Sequence, residues 1–106
     1  MSLSTHVLDA VSGRPATGIV VTLSDAAGTT LTSASTDDDG RVAQLGSDLA
    51  TGLYRLHFDT GSYFTAMDTP GFYPEIVIAF EITDPAGKYH VPVLLSPYAY
   101  STYRGS

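Results

Sequence analysis

Near neutral pH, acid–base chemistry in this 106-residue chain falls to three histidines, His6, His57 and His90. There is no cysteine, which excludes a thiolate nucleophile, a thiolate zinc site and a disulfide framework. Cations are scarce, four Arg and one Lys against a formal net charge of −6, so the position of each arginine carries information. His57 lies on the polar face of an alternating run beside Arg55 and Asp59 and reads as a solvated surface histidine. His6 and His90 each open an apolar run and share a face with residues expected to be buried: Leu8 for His6, Pro92 and Leu94 for His90. Taken singly, each is explained by structure more readily than by catalysis. The last eighteen residues shift that balance. Tyr89 to Ser106 contains two strand-like runs and then stops on Arg104, Gly105 and Ser106. An ordered, charged end of this kind makes sense if it folds inward, where imidazole, guanidinium and carboxylate can converge. Arg41 follows Gly40 directly at the start of a run, and Arg14 sits in a Ser-Gly-Arg-Pro turn; both have a plain reading as surface arginines beside turns.

Other chemistries lack their residues. The run Asp37-Asp38-Asp39-Gly40 is acidic, but it has neither the spaced ligands nor the distant Glu of an EF-hand loop, and it reads as a solvated turn. No Gly-x-Ser-x-Gly elbow and no glycine-rich phosphate loop is present. Two histidines are too few ligands for a metal site. The acidic balance argues against nucleic acid and against an anionic membrane surface. No apolar run approaches the roughly 20 residues that span a bilayer, and no basic stretch followed by an apolar run opens the chain. A cytoplasmic location is therefore expected.

The elements that must position these residues are nearly all strands. At 43% hydrophobic and 15% charged, the chain is expected to fold as one globular domain over residues 1–106. Runs are expected at 3–8, 18–24, 29–35, 41–45, 53–59, 75–83, 89–95 and 98–103. In the second, Ile19, Val21 and Leu23 share one face; in the fifth, Tyr54, Leu56 and Phe58 do; in the sixth, Ile76, Ile78, Phe80 and Ile82 do. Residues 61–67 form the one plausible helix, ended by Pro70-Gly71. About eight short strands with turn signals every 8–12 residues and one short helix indicate an all-β, two-sheet sandwich.

Three segments carry a family resemblance. Near the start stand Thr5-His6-Val7-Leu8-Asp9 and Ser12-Gly13-Arg14-Pro15-Ala16; in the middle, Asp39-Gly40-Arg41; at the end, Tyr89-His90-Val91-Pro92, Leu95-Ser96-Pro97 and Tyr100-Ser101-Thr102-Tyr103-Arg104-Gly105-Ser106. Together with Phe72-Tyr73-Pro74-Glu75 they resemble the transthyretin-related 5-hydroxyisourate hydrolases across essentially the whole chain. The closing Tyr-Arg-Gly-Ser separates those hydrolases from the hormone-carrying transthyretins. The resemblance implies a transthyretin-like sandwich assembled as a homotetramer, with sites where dimers meet. It implies hydrolytic opening of the six-membered ring of 5-hydroxyisourate, with His6, Arg41 and His90 in the active site. Tyr103, Arg104 and Ser106 are then candidates for substrate contact, Arg104 alternatively for neutralising the Ser106 carboxylate. No metal or cofactor is required. The alternatives are a small-ligand carrier on the same sandwich and a purely structural Ig-like module, because sandwiches host many functions.

Overall fold

The structure, a computed structural model, describes residues 1–106. It has nine strands and one helix: β1 (Ser2–Asp9), β2 (Arg14–Pro15), β3 (Val20–Asp25), β4 (Thr30–Ser35), β5 (Arg41–Val42), β6 (Gly52–Phe58), α1 (Thr60–Ala66), β7 (Ile76–Ile82), β8 (Lys88–Ser96) and β9 (Ala99–Thr102). The strands form two sheets. One has the order β4-β3-β6-β7; the other runs β2-β1-β8-β9, with β5 also paired to β1. The expected two-sheet sandwich is what the chain adopts. The extra strand is β2, whose Arg14-Pro15 pairs with Leu8 and Asp9 instead of only turning. The strand expected over 41–45 is shortened to Arg41–Val42, the last one to Ala99–Thr102.

Alternation builds the core. In β1, Leu3, Thr5, Val7 and Asp9 point inward; in β3, Val21 and Leu23; in β6, Tyr54, Leu56 and Phe58. These join Tyr89, Val91, Val93 and Leu95 of β8 in one cluster of 18 buried hydrophobic residues. A fully enclosed side chain such as Leu56 or Phe58 contributes about 1.5–3 kcal/mol through the water it leaves. Ile76 and Ile82 of β7 are fully buried, while Ile78 and Phe80 between them are only partly covered. The inward polar groups are satisfied. The Thr5 hydroxyl donates to the Val91 carbonyl at 2.6 Å, and Asp9 accepts from the Val11 and Ser12 amides and from the Tyr63 hydroxyl. Burial and that carboxylate together push the Tyr63 phenol up to about 12.

Helix α1 is short because its sequence stops it. Asp59 caps it, accepting from the Ser62 amide at 3.1 Å and hydroxyl at 2.7 Å. Asp68 then takes a left-handed φ of 52°, and Pro70 follows. Thr60 and Phe64 are its buried residues; Tyr63 reaches Asp9.

The pairing that joins the two ends of the chain is β1 with β8. These strands run parallel along their whole length, from Ser2 opposite Lys88 to Asp9 opposite Leu95. Strands about 86 residues apart in sequence thus become neighbours. No helix of the chain is long and apolar enough to cross a membrane.

Candidate active site

The faces of β1 and β8 that point away from the core carry Ser4, His6 and Leu8 on one strand and His90, Pro92 and Leu94 on the other. This corrects the sequence expectation for the histidines. They share a face with Leu8 and Leu94, but it is the outer face: Leu94 is 38% exposed, Leu8 is partly covered, and only Pro92 is buried. The core had already been claimed by the alternate residues Leu3, Val7, Tyr89, Val91, Val93 and Leu95. A strand apolar on both sides gives period-two reasoning two candidate core faces.

Register brings the polar groups together. Antiparallel pairing sets His6 opposite Arg41, and parallel pairing sets Ser4 opposite His90. Arg41 is held by the turn that precedes it. Asp37 Oδ1 accepts from the amides of Asp39 and Arg41, each at 2.9 Å, and the Asp37 amide donates to the Arg41 carbonyl at 2.9 Å. Gly40 completes the turn at φ 72°, with its carbonyl accepting from the Val7 amide at 2.7 Å. The acidic run is thus a turn tied by its own first carboxylate, which leaves the Arg41 side chain free above the sheet.

His90 is half-buried. Its Nδ1 lies 2.8 Å from the Ser4 hydroxyl, and its carbonyl accepts from the Gly105 amide at 2.9 Å, so the chain end lies beside it. Its pKa is lowered below the ordinary 6.5, first by burial and then by the positive charges of Arg41 and His6; a backbone hydrogen bond to Ser4 works the other way. The ring is therefore neutral at pH 7, with a nitrogen lone pair available to take a proton.

A hollow of about 220 Å³ opens over these groups, lined by Ser4, Arg41, Lys88, Tyr89, His90 and Ser106 among others. His6 does not line it, but is paired to Arg41 and close enough to act on His90 electrostatically. A second, more apolar hollow of about 330 Å³ lies between the sheets where β7 passes β8 and β9. It shares His90 and is lined by Ile78, Phe80, Tyr89, Tyr103 and Arg104. Tyr103 is 60% exposed there. Arg104 does not pair with the Ser106 carboxylate, against one of the two expectations for it. Its guanidinium sits 4.8 Å from the centre of the Tyr89 ring, and Nη2 donates to the Lys88 carbonyl at 3.4 Å. Tyr89 is a fixed platform for it: its hydroxyl accepts from the amides of Thr83 and Asp84 and donates to the Asp84 carbonyl. The one contact between a carboxylate and a basic side chain within the chain is elsewhere, His57 Nε2 with Glu75 Oε2 at 3.1 Å, on the opposite sheet.

Of the six residues singled out from sequence, Arg41, His90 and Ser106 line the polar hollow, Tyr103 and Arg104 line its neighbour, and His6 lines neither but pairs with Arg41. Ser4 and Tyr89 were missed. Ser4 was within reach of the periodicity, two positions before His6 on the same face; the supporting role of Tyr89 had no signal in the sequence. No three metal-ligating side chains stand together. The arrangement offers a neutral base, a planar cationic donor fork and a concave polar surface. These suit attack of water on an electrophilic carbon that bears a developing oxyanion.

Residues 3–105 match the model of the HIUase/Transthyretin family. The chain is 46% identical to a 5-hydroxyisourate hydrolase of Salmonella typhimurium over 98% of its own length and 80% of the relative's. Its backbone superposes on the structure of Klebsiella pneumoniae 5-hydroxyisourate hydrolase with a TM-score of 0.93, 38% identity and full coverage of both chains. Transthyretin from Sparus aurata superposes at 0.91, with 31% identity over 98% of this chain and 96% of that one.

Proposed function

The chain belongs to the HIUase/Transthyretin family, and we infer that it is a 5-hydroxyisourate hydrolase. It opens the six-membered ring of 5-hydroxyisourate to give 2-oxo-4-hydroxy-4-carboxy-5-ureidoimidazoline in urate breakdown. The observation that carries this reading is the near-full-length likeness to 5-hydroxyisourate hydrolases in a chain where Arg41 and His90 line one hollow and His6 pairs with Arg41.

Each step rests on what one group can do. Water adds through oxygen to a ring carbonyl carbon. A histidine, His90 or His6, takes its proton through a bare ring nitrogen, and such general-base help is worth about 10²–10⁴ in rate. The carbonyl oxygen gains negative charge, which the Arg41 fork meets with paired N–H donors. Removing a donor of that kind costs on the order of 10²–10³ in kcat. The tetrahedral carbon then collapses, the ring C–N bond breaks, and the leaving nitrogen takes back a proton. His6 and Arg41 orient the planar substrate. Arg104, held over Tyr89, and Tyr103 contact it from the neighbouring hollow, and the Ser106 carboxylate accepts from ring N–H groups. The scheme asks nothing of a metal or cofactor.

The residues form a single transthyretin-like domain that we place in a homotetramer. The support is the outer face of the site-bearing sheet, where Leu8, Pro92 and Leu94 continue directly from the histidines. A second copy laid on that face covers this apolar row and closes the hollows from outside. Light scattering that returned a monomer at micromolar concentration overturns the assembly without touching the chemistry.

A carrier reading has its own observation, the close superposition on transthyretin. Turnover separates the two. Purified protein mixed with freshly generated 5-hydroxyisourate should speed the decay of its absorbance far beyond the spontaneous rate. His90→Asn and Arg41→Ala should each bring the rate back near background with the fold intact. An unmodified protein that leaves the spontaneous rate unchanged refutes the hydrolase assignment, and wild-type-like decay in either variant refutes the site.

A further inference from the structure

His90 is gripped from two sides by residues that take part in no chemical step of the hydrolysis. On one side, Nδ1 lies 2.8 Å from the Ser4 hydroxyl. On the other, the Gly105 backbone passes against the ring edge. A Cβ built on Gly105 overlaps His90 Cδ2 outright and crowds Cγ at 3.1 Å and Cβ at 3.3 Å. The same glycine is tied in place by its amide, which donates to the His90 carbonyl at 2.9 Å. In an imidazole, Nδ1 and Cδ2 flank Cγ on opposite sides. With both sides occupied, the ring is held at its Cγ end, and Nε2 is the nitrogen left without a protein partner.

We propose that Ser4 and Gly105 are positioning residues for His90: the Ser4 hydroxyl accepts from Nδ1–H and the bare Gly105 backbone fills the space beside Cδ2, so that the ring presents an unprotonated Nε2 to the hollow. A hydroxyl can donate to or accept from Nδ1. Only as an acceptor from Nδ1–H does it leave Nε2 bare, which is the state a base needs. A histidine whose second nitrogen is held in this way has its tautomer chosen for it. Gly105 then has a stereochemical reason to be glycine that owes nothing to backbone conformation: the space a side chain needs is where His90 is. The inference rests on the hydrolase reading for its consequence in rate, but the tautomer it specifies can be read without substrate.

The test uses the full chain labelled with ¹⁵N in its histidines, with the His90 signals assigned by their loss in His90→Asn. At about pH 8, above the imidazole transition, unmodified protein should show His90 with Nδ1 protonated and Nε2 bare. Ser4→Ala should mix the two tautomers and lower kcat about tenfold, the worth of one hydrogen bond, with KM within about twofold. Ser4→Thr, which keeps the hydroxyl, should restore both readouts. Gly105→Ala should lose the single tautomer in the same way. Finding Nε2–H in the unmodified protein overturns the proposal, as does Ser4→Ala with an unchanged tautomer and unchanged kcat. If unmodified protein fails to accelerate 5-hydroxyisourate decay, the hydrolase reading falls while the NMR result still decides the clamp.

Discussion

Replacing Gly40 by Ala should damage the site through a residue that has no functional group. Gly40 sits at φ 72°, and a Cβ there overlaps the Val7 carbonyl oxygen and crowds the Ala16 amide and Pro15 Cβ, both at 3.2 Å. Two of the neighbours are backbone, in β1 and just after β2, and the third is a carbon of a proline ring, so none can rotate out of the way. Stability drops through two contributions. The left-handed backbone costs an alanine about 1–2 kcal/mol, and weakening the Val7-to-Gly40 hydrogen bond adds about 0.5–1.5 kcal/mol. With roughly 2–3 kcal/mol lost, the melting temperature of a domain near 100 residues should fall by about 10 °C. Activity drops for a different reason. Relieving the overlap lifts the turn from β1 by roughly half an ångström or more, and Arg41 is the next residue. Since about 1 Å of misplacement can cost on the order of 10²-fold, kcat/KM should fall about tenfold or more well below the melting temperature. Gly28→Ala is the control: Gly28 has φ +88 with nothing within 4 Å of its built Cβ, so it carries the backbone cost alone. It should lose about 1–2 kcal/mol and keep its activity. Gly40→Asn tolerates the left-handed conformation better but keeps the Cβ, so it should melt higher than Gly40→Ala and be as slow. Thermal melts together with 5-hydroxyisourate decay at 25 °C read both quantities. Wild-type kcat/KM in folded Gly40→Ala, or an equal loss in Gly28→Ala, refutes the claim that this turn sets Arg41.

Three further outcomes are expected. The acid limb of kcat/KM should have its midpoint below 6.5, because burial, Arg41 and His6 all hold His90 neutral; a midpoint above 6.5 contradicts that assignment. The matching effect on stability has a definite sign. The folded state binds a proton at His90 less readily than the unfolded chain, so this contribution is fully present above about pH 6.5 and is lost as the pH falls through the folded-state value. Deleting Arg104–Ser106 should lower kcat strongly while the melting temperature moves little, since Arg104 and Ser106 are exposed and the 18-residue core lies elsewhere; an active truncated protein means that the chain end is dispensable.

Much of the fold was legible in the sequence. Strands with one apolar face announced themselves: Ile19, Val21 and Leu23, and Tyr54, Leu56 and Phe58, all point inward as their spacing demands. The helix expected over 61–67 occupies Thr60–Ala66, shifted by one residue because Asp59 caps it. Strands apolar on both faces were harder. In β1 and β8 the alternation could be read either way, and the histidines were matched to the right neighbours but to the core face instead of the outer one. Register is the second gap. Nothing local says that β1 lies parallel to β8, or that Arg41 faces His6, since both are decided by packing between distant segments. Ser4 was within reach of the alternation, but what it and Gly105 support was hidden for the same reason. Ser4 and Gly105 matter only because of what lies across the strand from them.

The parallel β1–β8 pairing also governs when the catalytic apparatus can exist at all. Its two histidine-bearing strands must close a loop of about 86 residues, at a chain-entropy cost of roughly 4 kcal/mol beyond the constant term. The β4-β3-β6-β7 sheet needs only antiparallel pairings between strands much nearer in sequence. Hairpin contacts of that kind form early, and long-range parallel ones late. During refolding, recovery of turnover should therefore lag behind recovery of the β-sheet signal in far-UV circular dichroism. The activity is then a clock for the final step of folding: a molecule that turns over substrate has already brought its two ends together.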